Sequence, residues 1–324
     1  MNSWAGFFQR HGLILCGLLL LSGFFLIVSS ARAYTIENYQ ENVEDRFIIS
    51  PVNLELNLAP GETSTQQIMI VNRLGKTAKF RILKEDFVGS DDPEKISVFL
   101  GDESAGITSA KDWLKPDIEE IDLNHGDRLT LSVAINVPQK AEAGSHYAAI
   151  FASVLGEEKG PDKNNKVQLV SRVGCLFLIN VPGKNIDTGE VTEFKSDRNF
   201  YRNGPVEFSA VFKNTGNVYQ KVRGDITIRN FWGATVAHFP VKDWIVLSSS
   251  SRRQKAEWGK KWLMGRYKAR LNVFYGMGGN LVLSRDLVFY AFPWHAAILA
   301  FIILIVIYYL LRYFFSRFEI KRKE

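Results

Sequence analysis

The sequence predicts an all-β protein: two immunoglobulin-like β-sandwich domains in tandem, between an N-terminal signal peptide and one C-terminal transmembrane helix. Three observations predict it. Short runs alternate apolar and polar residues and stop at Gly, Pro or Asn, the period-two signature of strands with one buried face. One such run, with its turn, is echoed in the second half of the chain. The strongly apolar segments lie only at the two ends, leaving a body of ordinary soluble composition.

The 324 residues are enough for about two domains at roughly 100–200 residues each. The formal net charge is +6 and is concentrated in the C-terminal tail and around Arg252–Arg270. A nucleic-acid binder spreads its basic charge more broadly, so that class is set aside. Of two cysteines, Cys16 lies inside the first apolar segment, which leaves Cys175 alone in a processed chain. No internal disulfide can then form, and no CxxC or Cys/His cluster suggests zinc. Cys175 stands in "VGCLFLINV" and reads as a buried small hydrophobe.

Residues 1–33 read as the signal peptide. Arg10 and His11 form the polar start, Gly12 to Val28 the apolar stretch, and Ala31-Arg32-Ala33 the cleavage pattern. An uncleaved anchor is the alternative, because the apolar stretch is long. Residues 34–45 read as a linker.

The first sandwich is expected at 46–184. In "VNLELNLAPGETSTQQIMIVN", Val52, Leu54, Leu56 and Leu58 alternate with Asn53, Glu55, Asn57 and Ala59. Pro60-Gly61 makes a turn, since proline presets φ and glycine accepts a positive one. Ile68 and Ile70 resume the alternation, Asn72 closes the strand, Gly75 follows, and Phe80 and Ile82 open another strand. In "SAKDWLKPDIEE", Ser109 is expected to cap a brief turn. The polar stretch Leu155–Lys166 reads as a protruding hairpin tip.

The second sandwich is expected at 185–291, joined through Val181–Glu190. Here Ala210, Phe212 and Asn214 repeat the spacing of Ile68, Ile70 and Asn72, with Asn203-Gly204-Pro205 as the turn. Gly144 with Tyr147, and Gly265 with Tyr267, form a second pair of echoes. A tyrosine opening an inner strand suits the corner of a β-sandwich, where its hydroxyl bonds nearby backbone.

Residues 292–315 read as the transmembrane helix and 316–324 as a basic cytoplasmic tail. Ala296 to Leu311 has no charge, and with its aromatic flanks approaches the ~20 residues that span hydrocarbon. Trp294, Tyr308, Tyr309 and Tyr313 suit interfacial belts. Arg312, Arg317, Lys321, Arg322 and Lys323 place that end in the cytoplasm and the body outside, a single-pass protein of the cell membrane.

The signal peptide, "ISPVNLELNLAPGETSTQQIMIVN", the later "AGSHYAAI", the second β-unit, the single span and the basic tail together resemble the WxL-interacting surface proteins of Gram-positive bacteria. The resemblance implies Ig-like domains, cell-wall attachment through a peptidoglycan-binding first domain, and docking of partner surface proteins.

No catalytic set stands out. His11, His125, His146, His238 and His295 match no metal-ligand spacing, there is no GxSxG, Ser248–Ser251 reads as a loop, and "GMGGN" reads as a hairpin turn. No cofactor or metal is expected. One cluster, "SRRQKAEWGKKWLMGRYKAR", offers Arg252, Arg253, Lys255, Lys260 and Lys261 as candidate contacts to anionic polymer or lipid headgroups. Its bland alternative is a solvated strand face with Trp262 in the core. The expected function is a non-enzymatic, membrane-anchored adaptor recognising surface proteins or cell-wall polymer. The alternatives are a carbohydrate- or peptidoglycan-binding module, an exported enzyme, and a structural subunit of an envelope complex.

Overall fold

The computed structural model describes residues 34–39, 42–101, 103–155, 170–276 and 278–317. The expected signal peptide, residues 156–166 of the expected hairpin tip and the last residues of the basic tail lie outside them. The chain folds as immunoglobulin-like β-sandwiches followed by one apolar helix.

In chain order, β1 (Thr35–Asn38), β2 (Arg46–Ser50), β3 (Asn53–Asn57), β4 (Thr63–Arg73) and β5 (Ala78–Val88) are followed by the short β6 (Val98–Phe99), β7 (Leu114–Pro116) and β8 (Glu120–Leu123). The long β9 (Asp127–Asn136), β10 (Gly144–Leu155) and β11 (Val170–Val181) complete the first sandwich. One sheet has the order β1-β9-β4-β2, and the facing sheet β3-β11-β10-β5-β6. Between them lies a core containing Ile68, Ile70, Phe80, Leu131, Ile150 and Phe177. The strict alternation of buried and half-buried residues along β9 is the period-two pattern that places it there.

The second sandwich is built from β12 (Gly189–Ser196), β13 (Phe200–Tyr201), β14 (Val206–Asn214), β15 (Gln220–Asn230), β16 (Thr235–Val246), β17 (Ser250–Trp258), β18 (Gly265–Tyr275) and β19 (Leu281–Ala291). Its sheets have the orders β12-β14-β17 and β13-β19-β18-β15-β16. Its core includes Phe208, Phe212, Ile226, Leu271 and Phe289. The helix α1 (Trp294–Arg317) follows, and its stretch Ile298–Phe315 is long and apolar enough to cross a membrane and is exposed on every side.

The echoed asparagines do the same job in each sandwich. Asn72 Nδ2 donates to the carbonyls of Lys76 and Leu123, while its Oδ1 accepts from Leu74 N. Asn214 Nδ2 reaches Val218 O, Val246 O and Leu247 O, and its Oδ1 accepts from Gly216 N. Both side chains are fully buried and pin the loop that leaves their strand. Gly75 takes a positive φ of 75°. Gly216 is there for another reason: a Cβ on it would meet Ile186 O at 2.0 Å.

Four expectations are corrected. The supposed linker contains β1, whose residues 35–38 pair antiparallel with β9; all four are exposed, so no apolar alternation marks them. Val52 is exposed, because the ladder with β11 starts only at Asn53. Ser109 does not cap the turn that follows it; it ends the preceding one, its N–H donating to Gly106 O. Instead the buried Asp86 gathers this segment: its carboxylate accepts from Ser109 Oγ at 2.5 Å, Ala110 N at 3.0 Å, Lys111 N at 2.9 Å and Ala105 N at 3.2 Å. Finally, Tyr267 accepts from the nearby Met264 N as a corner tyrosine would, but Tyr147 crosses to the other sandwich.

Candidate functional site

The two sandwiches meet along a seam. Tyr147 donates its hydroxyl to Ser248 Oγ at 3.1 Å and accepts from Ser248 N at 2.9 Å. Burial pushes that phenol above its ordinary range. Phe87, Tyr147, Ala149, Phe151 and Leu178 of the first sandwich form an apolar cluster with Leu247 of the second. Around it, Asn217 O accepts from Ser145 N, Asn217 Nδ2 donates to Ala143 O, and Ser145 Oγ accepts from Tyr219 N. Glu55 of β3 takes the Tyr219 hydroxyl at 3.0 Å and the Lys221 ammonium at 2.6 Å. The four-serine run is therefore no free loop: Ser248, Ser250 and Ser251 are buried in the seam. Nothing local in four serines signals this, because their partners lie about a hundred residues away.

The seam also divides the five candidate cations. Arg253 is inside it: its backbone N–H donates to Pro93 O, and its guanidinium bonds Glu94 at 2.5 Å, Ser209 Oγ at 2.7 Å and Glu193. Arg252 donates to Ile245 O at 2.6 Å, and burial holds its pKa down. Both arginines have partners inside the protein, whereas Lys255, Lys260 and Lys261 are exposed. The alternative placement of Trp262 is corrected too. Trp258, Leu263, Tyr267 and Ala269 are the core residues of this stretch, and Trp262 is exposed.

Replacing Arg253 tests the seam. Arg253→Met is expected to weaken it by about 1 kcal/mol, the net scale of a partly screened charged hydrogen bond. The Arg253 hydrogen bond is the largest cause that lowers the Glu193 pKa below its ordinary 4.5. That contribution is present above the unfolded value and is lost as pH falls through the folded one. Acid unfolding followed below pH 5 should therefore be shallower in Arg253→Met than in the parent.

The site with an unmet structural demand is the outer edge of β11. On one side the whole strand pairs with β10, from Val170↔Leu155 to Val181↔Gly144. On the other side β3 runs parallel to it only over residues 176–180. No described strand covers the outer side of residues 170–175. Leu176 N donates outward to Val52 O and Asn180 O accepts from Leu58 N. By the two-residue period, the backbone groups of Gly174, Arg172 and Val170 face outward as well.

Side chains pack closely around that edge. Phe151 lies against Gly174, where a Cβ would meet its ring at 2.6 Å. Arg172 lies over the same ring, 4.5 Å from its centroid, and pairs with Glu85 at 2.5 Å. Val173, on the core-facing side of the strand, is 37% exposed, whereas Cys175, Phe177 and Ile179 beyond it on the same face are buried. An exposed edge with a partly exposed apolar residue can accept another strand through its backbone.

The titratable groups offer less. Burial pushes the Cys175 thiol up to about 12. His146 Nε2 donates to Glu142 O and the ring lies against Trp113, His125 accepts from Gly75 N, and His238 sits beside Thr227 and Asp225. Among the described residues no group of three or more His, Cys, Asp and Glu side chains is placed to hold a metal ion.

No family model matches this chain. No curated protein matches it either. Among solved structures, the class 5 fimbriae chaperone CfaA aligns at 10% identity and a TM-score of 0.36, over 74% of this chain and 98% of its own. The E. coli chaperone DraB aligns at 13% identity and a TM-score of 0.35, over 75% and 98%. The CsuC–CsuE chaperone–tip adhesion subunit complex of Acinetobacter baumannii aligns at 10% identity and a TM-score of 0.36, over 76% and 99%.

These similarities concern fold, and no residue of this chain takes a role from them. They do correct the sequence reading: the structures it is similar to are fimbrial chaperones, not WxL-interacting surface proteins. The reading as an adaptor for cell-surface proteins or cell-wall polymer, with its carbohydrate-binding and envelope-subunit alternatives, falls with that resemblance.

Proposed function

We propose that this protein binds a partner polypeptide by strand addition along β11. The observation that supports this is the edge of residues 170–175, paired with β10 on one side and left without a described partner on the other. An incoming extended segment would continue the line of β3. Its backbone would meet the outward groups of Arg172 and Gly174, and its inward side chains would cover Val173. The partner segment is therefore one with apolar residues at alternate positions. Backbone pairing gives such binding its affinity, and the alternate side chains give it selectivity.

The proposal also places the chain in a membrane. A long apolar helix that is exposed over Ile298–Phe315 is stable in lipid. At 24 residues α1 extends about 36 Å at 1.5 Å per residue, enough to cross the ~30 Å hydrocarbon core. With Arg312 and the basic tail on the cytoplasmic side, both sandwiches lie on the other side.

Arg172→Pro is the test of the edge. Proline is tolerated on an edge strand because its missing N–H faces outward, yet it removes a donor that an added strand needs. With the photoreactive residue p-benzoylphenylalanine at position 173, irradiated cells should yield an adduct with a polypeptide. Arg172→Pro should reduce that adduct about tenfold, and Arg172→Ala should leave most of it. Equal adducts in all three would reject strand addition, provided thermal unfolding shows the proline variant folded.

A further inference from the structure

The end of the second sandwich from which α1 leaves is built from loops distant in sequence. By register, Gly265 of β18 opposes Ala291 of β19, Arg229 opposes Thr235 across the β15–β16 hairpin, and Val206 opposes Trp258. The seam lies at the opposite end, where Gln220 opposes Val246 and Asn214 opposes Ser250. This leaves the helix end as a face of its own.

That face has unusual chemistry. At the β15–β16 tip, Trp232 is 79% and Phe231 57% exposed, with their rings 4.1 Å apart. The tip lies beside the next loop, since a Cβ on Gly265 would touch Phe231 at 3.5 Å. In that loop Trp262 is 59% and Met264 60% exposed. The same loop joins the helix entry. Gly204 N donates to Lys261 O, Arg202 lies over the Trp294 ring at 5.3 Å, and Arg202, Lys261, Trp262, Pro293 and His295 line one groove. Lys260, Lys261, Arg266 and Arg202 are exposed around these aromatics. The acids nearest in register, Glu207 and Glu257, sit one residue farther into the sheet.

We propose that this face is a bilayer-docking platform. Phe231, Trp232, Trp262 and Met264 enter the interfacial layer, and Lys260, Lys261, Arg266 and Arg202 meet acidic lipid headgroups. The inference rests on α1 spanning the membrane, because the helix leaves from this face and brings the bilayer surface to it. Tryptophan with flanking cations is the composition that partitions at the headgroup level. An exposed apolar patch of this kind on a free body would invite association. The platform would hold the sandwiches at one orientation to the membrane instead of letting them swing on the helix.

The test uses the full chain carrying Trp4→Phe and Trp294→Phe, reconstituted into vesicles of brominated phosphatidylcholine and phosphatidylglycerol. Flotation after an alkaline wash reads the helix: a chain that is stripped off refutes the span itself. In floated chains, bromine should quench tryptophan emission, and adding Trp232→Phe with Trp262→Phe should cut the quenched fraction at least twofold. Charge reversal of Lys260, Lys261 and Arg266 should also cut it at least twofold. A floated chain whose quenching ignores the two tryptophans overturns the platform. Quenching unmoved by charge reversal overturns the headgroup contact. Concentration-dependent shifts of Trp232 and Trp262 emission in detergent, without quenching in vesicles, would assign the face to a second copy of the chain and also overturn the proposal.

Discussion

Asp86→Ala is expected to destabilise the first sandwich by about 3–5 kcal/mol. The carboxylate is fully buried, and it is the acceptor for the amides of Ala105, Ala110 and Lys111 and for the Ser109 hydroxyl. Removing it leaves buried donors without partners, at about 1–3 kcal/mol for each one that water cannot reach. The loss should propagate, because these donors belong to the segment that brings Trp113 against His146 and Leu114 into the core. Asp86→Asn should recover only part of the stability, since its amide nitrogen would face donors. Ser109→Ala, which removes a single donor and leaves the carboxylate intact, should cost about 1 kcal/mol. Native-state hydrogen exchange at β5 and β9 would rank the three variants. Protection of those strands unchanged in Asp86→Ala would mean that the carboxylate does not organise the segment.

Asn214→Ala is the second large effect, at about 2–4 kcal/mol in the second sandwich. The side chain bonds the carbonyls of Val246 and Leu247 at 3.2 and 3.0 Å, and Val218 O at 2.7 Å. No apolar replacement can satisfy these groups, and all lie where water is excluded. Leu247 also stands in the seam cluster beside Tyr147, so this variant should loosen the seam as well as the strand end. Asn72→Ala should have a smaller effect confined to the first sandwich, because it frees only Lys76 O, Leu123 O and Leu74 N. The two changes lie in separate cores and should add. Exchange at β4 and β14 separates the effects: an Asn214→Ala chain that keeps Tyr147 and Ser248 protected would show that the asparagine acts on its own strand alone.

Much of the fold was legible in the residues. Ile68, Ile70, Phe208 and Phe212 are buried because alternation along a strand puts every second side chain on one face, and that periodicity is a local property. Pro60-Gly61 makes its turn with a φ of 80° at Gly61 and a Glu62 N to Ala59 O bond, again within four residues. The Asn72 and Asn214 echo proved to be a repeated bonding pattern. The uncharged terminal stretch became a helix that is exposed over Ile298–Phe315. None of the candidate site, by contrast, was legible. Arg253 has the same letter whether its guanidinium faces solvent or Glu94 and Glu193. Tyr147 follows its glycine as Tyr267 does, yet one hydroxyl stays near its own strand and the other crosses to Ser248.

The amino-acid order alone determined the β class, the faces that become core, the turns and the apolar termini, since each depends on neighbours within a few positions. Only the three-dimensional arrangement decided which cations are free, which serines are buried and which strand edge is left open. Those depend on sheet order and register, where residues a hundred positions apart become partners. Among the described residues no strand pairs the outer side of β11 at Arg172 and Gly174, because β3 stops short of it, a fact about two strands that neither strand's residues encode.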